Sequence, residues 1–280
     1  YTFAKDVMPD FIQPSGFILL RVTGALILFS LFYFLFVKEA VEKKDVLKLA
    51  ICGVFGVAIN QLLFFEGLNL TTPINAAIIM TINPVLVIIM SAFILYEKIN
   101  IRKGIGIALG LVGASTLILN SGSLSGNTDF MLGNTFVFVN AASYGLYLVL
   151  VKPLMHKYHP ITVMFYVFAF GLLYVLPFGY NELLVVDWAS FPPIIIWEVL
   201  FVLVCTTVIA YLLNSSALKL LNPSTVSIYI YLQPVLATLF AISRGSDTLD
   251  EMKIISATII FVGVYLVSVR SVRERKQKLF

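Results

Sequence analysis

The sequence predicts an all-α integral membrane protein with ten transmembrane helices, arranged as two five-helix repeats of inverted topology. Three observations lead to this prediction. The 280-residue chain is 60% hydrophobic and 12% charged, whereas soluble domains contain about 25% charged residues. Apolar runs close to the roughly 20 residues that a spanning helix needs recur along the chain. Finally, residues 70–119 recur without a gap as residues 220–269.

Nine apolar runs and one short stub predict the helices in chain order. The stub precedes Pro9, and the runs cover residues 15–37, 48–69, 74–96, 103–120, 132–151, 161–181, 194–218, 224–243 and 253–270. The sequence begins in the middle of what reads as a helix, so we expect the first span to be truncated. Short connections leave no room for a soluble domain. We therefore expect one repeat in residues 1–120 (helices 1–5), a second in 132–270 (helices 6–10) and a basic tail in 271–280.

The loop charges predict the orientation. Basic residues follow the second, fourth and sixth predicted helices and fill the tail. The alternate loops at 69–73, 121–129 and 180–193 contain no basic residue, whereas the loop near Ser246 is mixed, with three acids against Arg244 and Lys253. Because positively charged loops stay in the cytoplasm, the tail is expected to be cytoplasmic, in a multi-pass protein of the plasma membrane (the bacterial inner membrane). Five helices per repeat is an odd number, so the second copy enters the bilayer from the opposite face.

The repeat has a constant offset of 150 residues. Pro73 falls on Pro223, Pro84 on Pro234 and Gly113 on Gly263 (223−73 = 234−84 = 263−113 = 150). Proline is tolerated in the first turn of a helix, so Pro73 and Pro223 predict helix starts. Proline inside a helix bends it, so Pro84 and Pro234 predict kinks.

Four stretches of the first repeat are distinctive: Asn60-Gln61-Leu62-Leu63-Phe64-Phe65, Ile78-Ile79-Met80-Thr81-Ile82-Asn83-Pro84-Val85-Leu86-Val87, Tyr96-Glu97-Lys98 and the glycine-rich stretch from Gly104 to Gly113. With these motifs the sequence resembles the EamA-type carriers of the drug/metabolite transporter superfamily. The resemblance implies two tandem family units, ten helices, a cavity open to one side at a time and export of small metabolites. The second unit departs from it, since Gly245-Ser246-Asp247-Thr248 replaces Tyr96-Glu97-Lys98.

Polar and aromatic residues at helical spacing are the candidate substrate-binding residues. They form stripes on the sixth, eighth and ninth helices, because residues at i, i+4 and i+7 share one face. Interhelical hydrogen bonds, worth about 0.6 kcal/mol each, are the alternative role. The stripes are Asn140, Tyr144 and Tyr147; Thr207, Tyr211 and Asn214; and Tyr229 and Gln233.

The first repeat contributes Asn60, Gln61 and Asn83 to the same predicted site. Gln61 corresponds to Tyr211 and Asn83 to Gln233, so polar groups occupy equivalent places in both copies. The amides beside the two prolines are equally well placed to satisfy the backbone groups that proline frees.

Three charged residues could couple or attract a solute. Glu66 could titrate on burial or lie in interfacial water. Arg21 could snorkel outward or pair with Asp6 or Glu66, and Lys5 could attract anions at the external mouth or be solvated.

No catalytic, metal or cofactor site is predicted. His156 and His159 are expected in a cytoplasmic loop without metal-ligand spacing, and no nucleophile elbow or phosphate-binding loop occurs. The Gly106/Gly110 spacing permits close helix packing or dimerisation, so a monomer or a homodimer is expected. The partners are the lipid bilayer and a small-molecule substrate, without nucleic acid.

Together, these observations predict a secondary transporter that exports an amino acid or similar amphipathic metabolite by alternating access. A nucleotide-sugar or phosphate-ester exchanger of the same superfamily is one alternative, and a channel or receptor that does not transport is another. An exchanger would need several basic residues in its cavity, whereas only Lys5 and Arg21 are available.

Overall fold

The computed structural model describes residues 2–71, 76, 79–120, 128–233, 235–236 and 251–268, and no strand occurs among them. The helices, numbered here in chain order, are α1 (Thr2–Val7), α2 (Pro14–Val37), α3 (Lys43–Leu70), α4 (Asn83–Ile94), α5 (Ile101–Asn120), α6 (Thr128–Lys157), α7 (Pro160–Leu184), α8 (Pro193–Leu220), α9 (Pro223–Ser227) and α10 (Glu251–Ser268). Two 3₁₀ turns, Trp188–Ser190 and Ile228–Tyr231, precede α8 and follow α9.

Five of these helices are long and apolar enough to cross a membrane. They are α2, α3, the Met131–Lys157 part of α6, α7 and α8. Two shorter apolar helices, α4 and the Ile254–Val267 part of α10, do not reach spanning length within the described residues. The chain is therefore a multi-pass, all-helical membrane protein.

The structure divides into two compact units, each built from both halves of the sequence. Unit 1 comprises residues 1–76 and 125–222, and unit 2 comprises residues 77–124 and 223–280. In unit 1, α2 packs along α7 and α3 along α6. In unit 2, α5 packs along α10 over a core that includes Ile107, Tyr231 and Ile260.

Several helix ends differ from the predicted ones. Helix α6 continues to Lys157, so His156 is helical and does not lie in the predicted loop. His159 is the N-cap of α7, where its side chain accepts a hydrogen bond from the Ile161 backbone N–H. Helix α7 extends to Leu184 and includes Glu182. Hydropathy ends a predicted span at the first polar residues, but backbone hydrogen bonding carries a helix past them.

The predicted kink at Pro84 is a helix start. Pro84 lies in the first turn of α4, directly after a turn at Thr81 and Ile82. The missing N–H of proline costs nothing in a first turn. The helix is therefore interrupted before Pro84 and starts again there, without a proline kink in its interior. Pro223 opens α9 as predicted, whereas Pro73 and Pro234 lie outside the described residues.

Wider, π-helical turns occur at equivalent places in the two repeats. Val54–Ala58 interrupts α3, and its equivalent, residues 204–208, lies within the π-helical Val202–Ile209 of α8. Such turns often mark functional positions because they redirect side chains and offer carbonyl groups to other partners. The Phe55 carbonyl accepts a hydrogen bond from the Ser143 hydroxyl.

The glycines of α5 and α10 bring the two backbones of unit 2 into contact. A Cβ on Gly263 would lie 2.6 Å from the Gly106 carbonyl oxygen, and a Cβ on Gly113 would lie 2.9 Å from that of Ser256. Ser256 is the repeat equivalent of Gly106 (106+150 = 256), and Gly263 is that of Gly113 (113+150 = 263). Replacing each residue of one contact by its equivalent therefore gives the other contact. A pair of contacts that exchange in this way is the pattern of a two-fold interface.

Candidate functional site

Tyr211 is the centre of a polar cluster in unit 1. Its hydroxyl lies 2.8 Å from the Gly56 carbonyl oxygen, which the π-helical turn of α3 presents, and 3.1 Å from Asn60 Oδ1. It also accepts a hydrogen bond from Gln61 Nε2 at 3.4 Å. The Phe168 ring packs edge-on against the Tyr211 ring, with centroids 5.1 Å apart. One tyrosine thus joins α8 to α3 and α7.

The predicted stripe on α6 faces this cluster. Asn140 Nδ2 donates to the backbone carbonyl oxygen of Asn60 at 2.5 Å. The Tyr144 hydroxyl accepts a hydrogen bond from Asn214 Nδ2 at 3.3 Å. Tyr147 is buried, with its ring 6.0 Å from that of Tyr144. The structure therefore brings seven predicted site residues together in unit 1: Asn60, Gln61, Asn140, Tyr144, Tyr147, Tyr211 and Asn214.

Two amide oxygens of this cluster have no hydrogen-bond partner among the described residues. Gln61 Oε1 and Asn140 Oδ1 are both buried, although the nitrogens of the same amides donate within the cluster. A buried acceptor without a donor costs about 1–3 kcal/mol. Tyr144, Tyr211 and Asn214 retain partial exposure. The cluster thus combines buried acceptors with half-exposed polar groups.

Arg21 of α2 borders the cluster and is 4% exposed. Its Nη2 and Nε donate to the Thr207 hydroxyl at 2.7 and 3.1 Å. Its guanidinium lies 4.5 Å from the centroid of the Phe65 ring and 5.9 Å from that of Phe17, within the range of cation–π attraction. Of the two alternatives for this residue, outward snorkelling does not agree with its burial. The alternative ion pair with a carboxylate does not occur among the described residues either.

Glu66 lies at the N-terminus of α2 beside a second carboxylate. Ser15 donates its hydroxyl proton to Glu66 Oε1 at 2.7 Å, and the Gly16 backbone N–H donates to Glu182 Oε2 at 2.8 Å. Carboxylates are stabilised at helix N-termini by the free N–H groups and the helix dipole. Glu182 accepts the backbone N–H of the first turn, whereas Glu66 binds the Ser15 side chain. The coupling role of Glu66 remains a prediction. The role of Lys5 remains one too, because its side chain is not among those that the structure describes.

The other predicted residues belong to unit 2. Asn83 is fully buried at the start of α4, while Tyr229 is 45% exposed and Gln233 is exposed as well. Their participation in a common site with the unit 1 cluster remains a prediction.

Unit 2 also contains a buried ion pair between the start of α5 and the loop that precedes it. Lys103 Nζ lies 2.7 Å from Glu97 Oε1, and both side chains are almost fully buried. The Ser224 hydroxyl donates to the same carboxylate, and Asn100 Oδ1 accepts from the Lys103 backbone N–H at 2.8 Å. The pair ties the start of α5 to the start of α9.

A second polar cluster of unit 1 lies where α3 begins. The buried Asp45 accepts hydrogen bonds from Lys157 Nζ at 2.5 Å, the Tyr158 hydroxyl at 2.9 Å and Lys48 Nζ at 3.0 Å. Lys157 also pairs with the exposed Glu42 at 2.6 Å. Hydrogen bonds from Lys157, and then from Lys44, hold the pKa of Glu42 below its ordinary value. The cluster holds the start of α3 against the junction of α6 and α7.

Sequence reasoning missed several contributors. Phe65, which contacts Arg21, could have been predicted, because it follows Gln61 by four positions and therefore lies on the same helix face. Phe17 likewise precedes Arg21 by four positions. The predicted sixth helix ends at residue 151, which leaves Lys152 in the loop that follows. In the structure Lys152 is buried and donates to the Leu218 and Leu221 carbonyl oxygens at 2.5 and 2.8 Å. No one-dimensional pattern indicates that last contact, because it joins two separate helices.

Metal chemistry has no visible basis in the described part of the chain, where no group of three or more His, Cys, Asp or Glu side chains is arranged to hold a metal ion. Cys52 and Cys205 are both free thiols.

The chain matches the EamA-like transporter family twice, over residues 1–119 and 131–269. It is 23% identical to "Uncharacterized transporter YyaM" of Bacillus subtilis (strain 168), over 88% of this chain and 81% of that protein. It is 25% identical to "Uncharacterized transporter YetK" of the same organism, over 82% of this chain and 70% of that protein. A relative from Streptantibioticus cattleyicolor (strain ATCC 35852 / DSM 46488 / JCM 4925 / NBRC 14057 / NRRL 8057), "Probable terminal-alkyne amino-acid exporter", is 21% identical over 84% of this chain and 77% of its own length.

A solved crystal structure shares the fold, with a TM-score of 0.76 at 18% identity over 95% of this chain and 91% of that chain. The two family matches, the spanning helices and the buried polar cluster agree with one another, and the chain belongs to the EamA-like transporter family.

Proposed function

We propose that the chain is a secondary transporter that exports an amino acid or similar amphipathic metabolite by alternating access. The observation that carries this proposal is the polar-aromatic cluster around Tyr211. Polar groups inside a membrane bundle are costly and usually face a pathway. Tyrosine suits solute binding because its ring offers apolar area while its hydroxyl fixes orientation. Family membership and the name of the exporter relative support the same reading.

The two repeats are proposed to be inverted, with the C-terminus in the cytoplasm. Contact between the repeat equivalents Gln61 and Tyr211, the exchanged contacts of Gly106 with Gly263 and of Gly113 with Ser256, and the paired π-helical turns support a two-fold relation between the copies. Inverted repeats allow a carrier to present one site alternately to each side.

Phosphate-ester or nucleotide-sugar exchange is the weaker alternative. Such anions need several cations. Among the described side chains, Arg21 is the buried cation that borders the cluster, while Lys152 is engaged with carbonyl oxygens of α8 and its C-terminal junction. A single guanidinium suits a monoanionic group better than a diphosphate.

The test is uptake into proteoliposomes that contain the purified full chain. A radiolabelled panel would include neutral, acidic, basic and aromatic amino acids, a sugar phosphate and a nucleotide sugar. Saturable uptake of an amino acid, accelerated by the same unlabelled solute on the opposite side, is the expected result. Uptake that rises linearly with concentration would indicate a channel instead. No uptake of any panel member above protein-free vesicles would remove the amino-acid proposal.

A further inference from the structure

The buried guanidinium of Arg21 pairs with no carboxylate among the described residues. Two of its nitrogens share one neutral acceptor, the Thr207 hydroxyl, which itself donates to the Val202 carbonyl oxygen at 3.0 Å. The third nitrogen, Nη1, is buried and has no hydrogen-bond partner among the described residues. A charge removed from water is costly unless it is paired and hydrogen-bonded. Within the described part of the chain, Arg21 therefore has neither a carboxylate partner nor an acceptor for Nη1.

The neighbouring carboxylates are engaged elsewhere. Glu66, which follows the ring that Arg21 stacks on, accepts a hydrogen bond from Ser15. Glu182 accepts one from the Gly16 backbone N–H. Neither pairs with Arg21 in the described part of the chain. Both carboxylates instead bind at the first turn of α2, whereas Arg21 lies about one and a half turns further along.

We propose that Arg21 binds the carboxylate of the transported solute, a role that rests on the proposed export function. A guanidinium presents its N–H groups in a planar fork that matches a carboxylate. In this structure Nη1 points away from the one acceptor already used. The rings of Phe65 and Phe17 hold the guanidinium in place through cation–π contact. The site is preorganised for one monoanionic, planar group.

The acceptors beside Tyr211 suit the other end of the same solute. Tyr211 follows Thr207 by four positions on α8, about one helical turn or 5.4 Å along the axis. Gln61, which donates to Tyr211, keeps Oε1 buried without a donor among the described residues. Its oxygen would accept from an ammonium group. A solute with a carboxylate and an ammonium a few ångströms apart would satisfy both groups.

The carboxylate reaches Nη1 only when the contact between α2 and α8 opens. Nη1 is buried in this structure, and α2 packs on the π-helical turn of α8 that contains Thr207. Wide turns such as Val202–Ile209 are rare and lie frequently at functional sites. The proposed opening would therefore move α8 at this turn.

Thermal unfolding of the purified full chain in detergent tests the inference without transport. The probes are 3-phenylpropionate and its neutral amide, which share size and ring. The wild type should gain stability from the carboxylate and not from the amide. Arg21→Gln should weaken that response about tenfold or more, the loss expected for a charged hydrogen bond. Its ligand-free Tm should equal or exceed that of the wild type, because an unpaired buried cation has been removed.

Two further variants keep the test decisive. Lys44→Gln removes an exposed cation of α3 and should retain the full response. Arg21→Lys keeps the charge but loses the planar fork, so a weakened carboxylate response is expected; it replaces Arg21→Gln if that variant is not recovered folded. The inference is wrong if the carboxylate does not stabilise the wild type, if the amide stabilises it equally, or if the Arg21 variants respond like the wild type.

A second pair of ligands separates this inference from the proposed function. Phenylalanine and phenylalaninamide would be compared in proteoliposomes alongside the unfolding assay. Equal uptake of both, with no carboxylate-specific stabilisation, would leave transport standing and remove the role of Arg21. Carboxylate-specific stabilisation that depends on Arg21, without uptake of any panel solute, would support the site and count against export.

Discussion

Gln61 Nε2 donates a hydrogen bond to the Tyr211 hydroxyl at 3.4 Å across a sequence separation of 150 residues. That separation equals the repeat offset, so each residue contacts its own equivalent in the other copy. In a two-fold arrangement, only residues close to the axis contact their own equivalents. The cluster around Tyr211 therefore has the position expected of a site shared by two repeats.

Tyr211→Phe is expected to reduce transport several-fold. It removes a hydroxyl that lies within hydrogen-bond distance of the Gly56 carbonyl oxygen and of Asn60 Oδ1. The ring and its contact with Phe168 remain. Each group left without its partner costs about 1–3 kcal/mol. Tyr180→Phe removes an exposed hydroxyl of α7 and should transport normally. Equal initial rates for the two variants in proteoliposomes would contradict the role of Tyr211.

Gln233→Ala is expected to impair transport without loss of folding. The repeat makes Gln233 the equivalent of the buried Asn83, yet its own side chain is exposed. An exposed side chain adds little to stability, so a transport defect would have to come from a functional contact. The measurements are uptake rate and thermal midpoint in detergent, with Gln13→Ala at an exposed position of unit 1 as control. Wild-type uptake by Gln233→Ala would remove it from the site.

Gly263→Ala should destabilise the protein, whereas Gly104→Ala should not. A Cβ at Gly263 would overlap the backbone of Gly106 and Gly110, whereas a Cβ at Gly104 meets nothing within 4 Å. Forcing α5 and α10 apart should cost about 1–3 kcal/mol. Filling the exposed helical position should be neutral or gain up to about 1 kcal/mol. Similar thermal midpoints for the two variants would refute the close packing of these helices.

Asp45→Asn should lower the thermal midpoint more than Glu42→Gln does. Asp45 is buried and accepts from Lys157, Lys48 and Tyr158. The exposed Glu42 has a pKa lowered by Lys157 and Lys44. Its contribution is therefore present above the ordinary pKa of glutamate, about 4.3, and is lost as the pH falls through its lowered pKa. Being solvent-screened, it remains small. Destabilisation of Glu42→Gln equal to that of Asp45→Asn would contradict this ranking.

Cysteine labelling tests the inverted topology. After replacement of Cys52 and Cys205, single cysteines at Lys43 and His156 should react with an impermeant reagent only from the cytoplasm. A cysteine at Asp187 should react only from outside, because loops rich in lysine and arginine stay in the cytoplasm. Labelling of Asp187 and His156 from the same side would overturn the proposed orientation.

The stripes on α6 and α8 were predictable because side-chain direction in a helix follows from residue spacing alone. Asn140, Tyr144 and Tyr147 share a face in any regular helix, and so do Tyr211 and Asn214. Which stripe meets which depends on how helices pack. The hydrogen bond from Asn214 to Tyr144 joins residues 70 positions apart, and periodicity carries no information about such a pairing.

The sequence by itself determined the membrane environment, the helical class and the repeat, because these follow from composition, spacing and self-similarity. Only the tertiary structure decided the partner of Arg21, the hydrogen bond between Ser15 and Glu66 and the helix break before Pro84. The physical reason is that hydrocarbon offers polar groups no alternative partner. Each buried group therefore takes whichever donor or acceptor the packed helices place beside it, and that choice depends on helix packing rather than on neighbouring residues in the chain.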